Sequence, residues 1–154
     1  MKSEEALEGN KLIANFMGYN YHPHMEGETL PGWRKEKAHL KVAGTYLCRA
    51  HKDLAYHRSW DWLMPAVQKI ESLDLKESMY SWETDEGREY NFEGISVEIE
   101  RNQCWIYINL QLDQMFTINE KTFKEIYPSK IEATFRSVVE FVEWFNKREK
   151  ITEE

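Results

Sequence analysis

The stretch Ile95-Ser96-Val97-Glu98-Ile99-Glu100-Arg101-Asn102-Gln103-Cys104-Trp105-Ile106-Tyr107-Ile108-Asn109-Leu110 reads as two strands and the turn between them. Ile95 to Glu100 alternates apolar and polar residues, the period of two expected of a half-buried strand. Arg101-Asn102-Gln103 interrupts the alternation and Cys104 to Leu110 resumes it, so a hairpin is the simplest pairing. On the second strand Cys104, Ile106, Ile108 and Leu110 share one face, and Trp105, Tyr107 and Asn109 share the other. The first face is aliphatic and suits a core; the second is aromatic and polar. Around this hairpin, Met79 to Glu83 predicts a short strand, Asp85-Glu86-Gly87-Arg88 a turn, and Phe116 to Ile118 a short extension of the sheet.

Helical periods flank the strands. Ser129 and Glu132 form an S-x-x-E capping box, after which Ile131, Phe135, Val138, Val142 and Phe145 recur every three or four residues. Phe141 and Trp144 widen that stripe beyond a normal buried face; core packing from both sides explains most of it, and a homo-oligomer or partner interface is the sharper alternative. A second helix opens at Ser59, a good N-cap with Asp61 in the first turn, and continues through Leu63, Ala66, Val67, Ile70 and Leu73. Pro65 conflicts with a regular start and predicts a bent or tightened first turn from which Trp60 and Trp62 diverge. The first helix runs from Ser3 or Glu4 to Met17, with Gly9 and Asn10 weakening its middle and Gly18 supplying a stop. The expected architecture is one α+β domain, a sandwich of about three helices on a small, mainly antiparallel sheet.

Composition agrees with a single globular domain of 154 residues, 42% hydrophobic and 31% charged. A net charge of −7 excludes a uniformly basic nucleic-acid binder, and no run approaches the roughly 20 apolar residues of a membrane helix. The acidic N-terminus lacks the apolar run of a secretory signal, so a cytoplasmic location with reduced thiols is expected. Cys48 and Cys104 are too few for a disulfide scaffold and have no CxxC spacing.

The charge is unevenly spread. Between Trp33 and Arg58, seven basic residues face two acidic ones, which gives this segment +5 and leaves −12 for the rest. Rings are interleaved with the cations. Such a segment, leading into a helix N-terminus, suits a small, flat anion: Trp33, Tyr56 and Trp60 would stack a base, while Arg34, Lys35, Arg49, Arg58 and His57 would meet phosphate beside the backbone N–H groups that follow Ser59. The plain alternative is a solvated loop whose cations neutralise an acidic body. A long nucleic acid fits less well, since the −12 body would repel an extended backbone. No Walker loop or GxGxxG occurs. His22-Pro23-His24 with Glu26 and Glu28 lacks a fixed metal geometry and reads as a surface loop, and no nucleophile-elbow motif places a catalytic set. Neither a cofactor, a metal nor a catalytic residue is implied.

Three stretches carry a resemblance: Ile13-Ala14-Asn15-Phe16-Met17-Gly18; Tyr56-His57-Arg58-Ser59-Trp60-Asp61-Trp62-Leu63-Met64-Pro65-Ala66-Val67-Gln68-Lys69-Ile70-Glu71; and Ser129-Lys130-Ile131-Glu132-Ala133 with Val138-Val139-Glu140-Phe141-Val142. Together they resemble small phage and prophage proteins of the phage ABA sandwich domain group. The shared features are helix ends and starts, so no site residue is carried over. The resemblance implies a phage-type accessory protein in a bacterial cytoplasm, some of which sequester nucleotide immune signals. The functional expectation is therefore capture of a small nucleotide-derived anion without turnover. The alternatives are a module that blocks a host defence protein through the last helix or the aromatic strand face, and, third, a phosphoester hydrolase.

Overall fold

The computed structural model describes residues 1–24, 31–34, 41–42, 45–46, 50–75, 82–83, 89–112 and 116–152. Lys35, Cys48, Arg49 and the turn expected at residues 85–88 lie outside these. The elements in chain order are α1 (Ser3–Phe16), β1 (Asn20–His22), β2 (Gly32–Arg34), β3 (Lys41–Val42), β4 (Thr45–Tyr46), a 3₁₀ turn (His51–Asp53), α2 (Trp60–Ser72), β5 (Trp82–Glu83), β6 (Glu89–Glu100), β7 (Gln103–Leu112), β8 (Phe116–Ile126) and α3 (Lys130–Thr152). The fold is α+β. Strands β5-β6-β7-β8 form an antiparallel meander, and β1-β2 and β3-β4 are separate two-stranded hairpins.

The deciding hairpin is β6-β7, closed by Arg101 and Asn102 with Glu100 opposite Gln103. Cys104, Ile106, Ile108 and Leu110 are all fully buried. Trp105, Tyr107 and Asn109 are half-exposed on the opposite face, where the Lys124 ammonium lies 5.4 Å from the Trp105 ring centre. Helix α3 lies against β7 and β8, and α2 covers β6. Helix α1 packs chiefly on α3 and on the 3₁₀ turn rather than on the sheet.

Phe135, Val138, Phe141 and Val142 of α3 are buried. This corrects the interface role expected of Phe141. Its ring is enclosed by Phe123, Trp144 and Phe145 at centroid distances of 5.4, 5.6 and 6.2 Å, so the extra width of the stripe is filled from within the chain. Trp144 is half-buried at the edge of this cluster, and the Arg148 guanidinium lies 4.3 Å from its ring centre. The capping box forms in part: Glu132 N–H points at Ser129 Oγ at 3.5 Å, but the Glu132 carboxylate turns to Arg136 instead of back to Ser129.

In α2, the Ser59 carbonyl accepts from both Trp62 N–H (3.2 Å) and Leu63 N–H (3.0 Å), the shared bond common at helix ends, while Pro65 inside the helix withholds its N–H from the Asp61 carbonyl. Trp60 points outward and Trp62 packs edge-on against Tyr56 at 5.2 Å. Helix α1 ends at Gly18, whose φ of 88° costs a glycine little, and Tyr19 N–H closes the turn on Ala14 O at 2.9 Å.

Gly9, which weakens α1 as an isolated helix, permits its approach to α3. A Cβ at that position would lie 2.5 Å from Phe135 Cζ and 3.0 Å from Val139 Cγ2, and Phe135 is itself buried with little room to move. Overpacking costs about 1–3 kcal/mol, against about 0.5–1 kcal/mol gained by replacing a helical glycine. Gly9→Ala is therefore expected to lower the thermal midpoint, whereas Asn15→Ala, exposed on the same helix, should raise it slightly. Parallel thermal unfolding of the two variants checks the contrast.

Candidate functional site

The polypeptide between the 3₁₀ turn and α2 is held from inside. Leu54, Ala55 and Tyr56 are buried, and the Ala55 carbonyl accepts from Arg58 N–H (3.1 Å) and Ser59 N–H (2.9 Å), a tight turn that leads into α2. The three apolar side chains anchor this connection, leaving His51, Lys52, His57 and Arg58 beside α1.

Asn10 makes the tie. It lies one helical turn from Ala6 and one from Ile13 and Ala14, on the buried face of α1, and is 2% exposed. Its Nδ2 donates to the Leu54 carbonyl at 3.0 Å and to His57 Nδ1 at 2.8 Å, and its Oδ1 accepts from His57 N–H at 3.2 Å. The three bonds connect the middle of α1 to both ends of the buried Leu54–His57 stretch. A parallel tie comes from the β1-β2 hairpin, where Tyr21 opposes Trp33. Trp33 Nε1–H donates to His51 Nδ1 at 2.7 Å, and the Tyr21 ring stacks on His51 at 4.3 Å.

These two ties frame an open cleft of about 460 Å³. Ser3, Glu4, Ala6, Leu7 and Asn10 line it from α1; His51, Lys52, Leu54, His57 and Arg58 line it from the connection. Among the described residues neither Lys52 nor Arg58 makes an ion pair. Burial, and then the neighbouring Arg58 guanidinium, holds the His57 pKa below the usual imidazole value. The native state therefore binds fewer protons than the unfolded chain below about pH 6.5, and stability is lost as pH falls through that value towards the lowered native pKa. Thermal unfolding between pH 7.5 and 5.5 should show that loss in the wild-type chain and a smaller one in His57→Gln; equal losses would contradict it.

A second cleft, about 470 Å³ in volume, lies between α1 and α3. Glu5, Glu8, Glu125, Glu140 and Glu143 surround its apolar floor of Leu12, Phe135 and Val139. Its cations are both engaged, Arg136 by Glu5 and Glu132 at 3.1 and 3.3 Å and the Met1 ammonium by Glu132 at 3.5 Å. Among the described residues these two cavities are alike in size and opposite in sign, and of the two the cleft beside residues 51–58 is the one that suits an anion.

The expected site residues divide accordingly. His57 and Arg58 line the cationic cleft. Trp33 and Tyr56, expected to stack a base, are 4% and 3% exposed; this corrects their role, because their rings are spent on the core and on Trp62. Trp60 is exposed, and Ser59 stands as the α2 N-cap without a side-chain cap bond; neither lines the cleft. Arg34 lies across the hairpin with its guanidinium 3.1 Å from His22 Nδ1. Asn10, His51 and Lys52 join the cleft without being singled out by the sequence. A poor helix former on the apolar face of α1 was the available signal for Asn10; His51 and Lys52 lay within the basic segment, unmarked by any motif. Among the described residues, no helix is long and apolar enough to cross a membrane. No family model, curated protein or solved structure matches this chain.

Proposed function

We propose that this domain binds a small, nucleotide-derived anion in the cleft between α1 and residues 51–58 and holds it without turnover. The observation that carries this reading is that Lys52 and Arg58, without carboxylate partners among the described residues, line the same 460 Å³ cleft as His57. A cavity of that volume is within the range of small-ligand sites, and unpaired cations attract phosphate through charge-assisted hydrogen bonds. Binding without chemistry is supported by His57, whose Nδ1 lone pair is occupied by Asn10 and so is not free to act as a general base. In this reading, and in line with the resemblance to the phage ABA sandwich group, the chain is an accessory protein that sequesters a nucleotide signal in a bacterial cytoplasm.

The test is calorimetric titration with mononucleotides, cyclic nucleotides and dinucleotides. Binding is expected for at least one class, weakened roughly tenfold or more in Lys52→Ala and in Arg58→Ala, since a hydrogen bond to a charged group contributes about 1.5–3 kcal/mol. Absence of binding across the panel, or unchanged affinity in both variants, overturns the reading. The rival, a module that blocks a host protein, is favoured by the half-exposed Trp105 and Tyr107 on the sheet face opposite the buried one. It predicts a co-purifying protein lost on Trp105→Ala and retained in Arg58→Ala.

A further inference from the structure

Trp33 and Asn10 each fill the same nitrogen of a different histidine at the cleft. An indole N–H is a donor only, so His51 Nδ1, 2.7 Å from Trp33 Nε1, must offer its lone pair. The Asn10 amide is equally constrained. Rotating it by half a turn would set Oδ1 against the Leu54 carbonyl and Nδ2–H against His57 N–H, turning attractive contacts of 3.0 and 3.2 Å into repulsive ones. Its Nδ2 therefore faces His57 Nδ1, 2.8 Å away, as a donor. In both rings the proton is left on Nε2, and neither Nε2 has a partner among the described residues.

We infer that Trp33 and Asn10 are positioning residues that fix His51 and His57 as Nε2–H donors, so that the cleft selects a terminal phosphate monoester in its dianionic form. This inference rests on the anion-binding reading above. Lys52 and Arg58 are likewise donors without acceptor capacity. A phosphate dianion only accepts, and offers three terminal oxygens and two charges to two cations and two ring N–H groups. The monoanion carries a P–OH that these four side chains cannot accept from, and a diester offers two free oxygens and one charge. Burial and Arg58 disfavour the protonated form of His57, which keeps its Nδ1 available to Asn10 near neutral pH.

Glu4 reaches the cleft from α1, Lys52 and Asp53 flank His51 in the 3₁₀ turn, and Arg58 follows His57. Tyr21 of β1 covers His51, and α3 meets His57 through the uncharged Phe135 ring at 6.1 Å. Glu4 is the one carboxylate among the described lining residues; it repels a dianion more than a monoanion and can accept from a P–OH, so the preference requires Lys52, Arg58 and the two Nε2–H groups to outweigh it.

The test is titration of the 154-residue chain with adenosine 5′-monophosphate and with its 3′,5′-cyclic diester as probes, from pH 5.5 to 8.5 at constant ionic strength. Affinity for the monoester is expected to rise as its second ionisation, near pH 6, is completed, and then to hold level to pH 8.5. The diester is expected to bind about tenfold more weakly and with little pH dependence. Imidazole nitrogen–proton correlation spectra at pH 7.5 should show both rings protonated on Nε2. Trp33→Phe should release His51 to a mixture of tautomers and weaken the monoester about tenfold, with the His57 spectrum unchanged. Monoester affinity that falls between pH 6 and 8, equal affinity for the diester, or a wild-type ring protonated on Nδ1 overturns the inference while leaving anion binding intact. Failure of both probes to bind overturns the inference and, if the wider panel is also silent, the reading beneath it.

Discussion

Phe141→Ala is expected to lower the unfolding free energy by about 3–5 kcal/mol, the usual cost of removing a buried aromatic ring and leaving its cavity. The ring is completely buried and is held edge-on by Phe123, tilted against Trp144 and nearly parallel to Phe145. Its neighbours lie on both α3 and β8, so collapse of the site would require the helix to shift on the sheet; relaxation is limited and the cost stays near the full value. For a domain whose total stability is about 5–15 kcal/mol, this is a large share. Urea unfolding should show the midpoint displaced with an unchanged slope. A loss below about 1 kcal/mol would contradict this packing of the ring. Trp144→Ala, which removes a half-buried ring from the rim of the same cluster, should cost less.

Asn10→Ala is expected to rank next, although it removes a small polar side chain. Two backbone groups, the Leu54 carbonyl and His57 N–H, lose the partners they have at 3.0 and 3.2 Å. Leu54 and Tyr56 are buried on either side of the connection, and each orphaned group there costs about 1–3 kcal/mol. The His57 ring also loses the donor on Nδ1, so the variant should combine reduced stability with a changed His57 tautomer. Full stability together with an unchanged His57 spectrum would show that water replaces the amide and that Asn10 is not the tie.

Where periodicity was unbroken, the fold was legible in the sequence. The alternation over Cys104–Leu110 and the three-and-four spacing along α3 correspond to buried faces that meet in the core. Strand β8 was not legible in full. Only Phe116 to Ile118 was expected, whereas the strand continues to Ile126, because pairing passes from Ile108↔Lys121 to Asn109↔Asn119 and leaves Glu120 as an extra residue. A bulge of this kind shifts the alternation by one and hides a strand from a period-two search. The early start of β6 at Glu89 has the same origin, a register shift between Phe92 and Gly94.

The candidate site was legible in charge and not in ring chemistry. Splitting the net charge pointed to the segment that supplies Lys52, His57 and Arg58 to the cleft. Aromatic residues interleaved with cations have one appearance whether they stack on a ligand or fill a core, and burial alone decides that Trp33 and Tyr56 do the second. Helix propensity, being local, marks Asn10 as a flaw in α1, while its role depends on a partner 44 residues away.

The central claim is that a small anion seats between α1 and residues 51–58, and the most direct measurement is backbone amide mapping by nuclear magnetic resonance as nucleotide is added to the 154-residue chain. The predicted result is a set of shifts in Ser3 to Asn10 and His51 to Arg58 that saturate together, with Glu125, Glu140 and Glu143 of the acidic cleft unmoved. Shifts confined to the acidic cleft or to the Trp105–Tyr107 face, or no shift with any nucleotide of the panel, would contradict it.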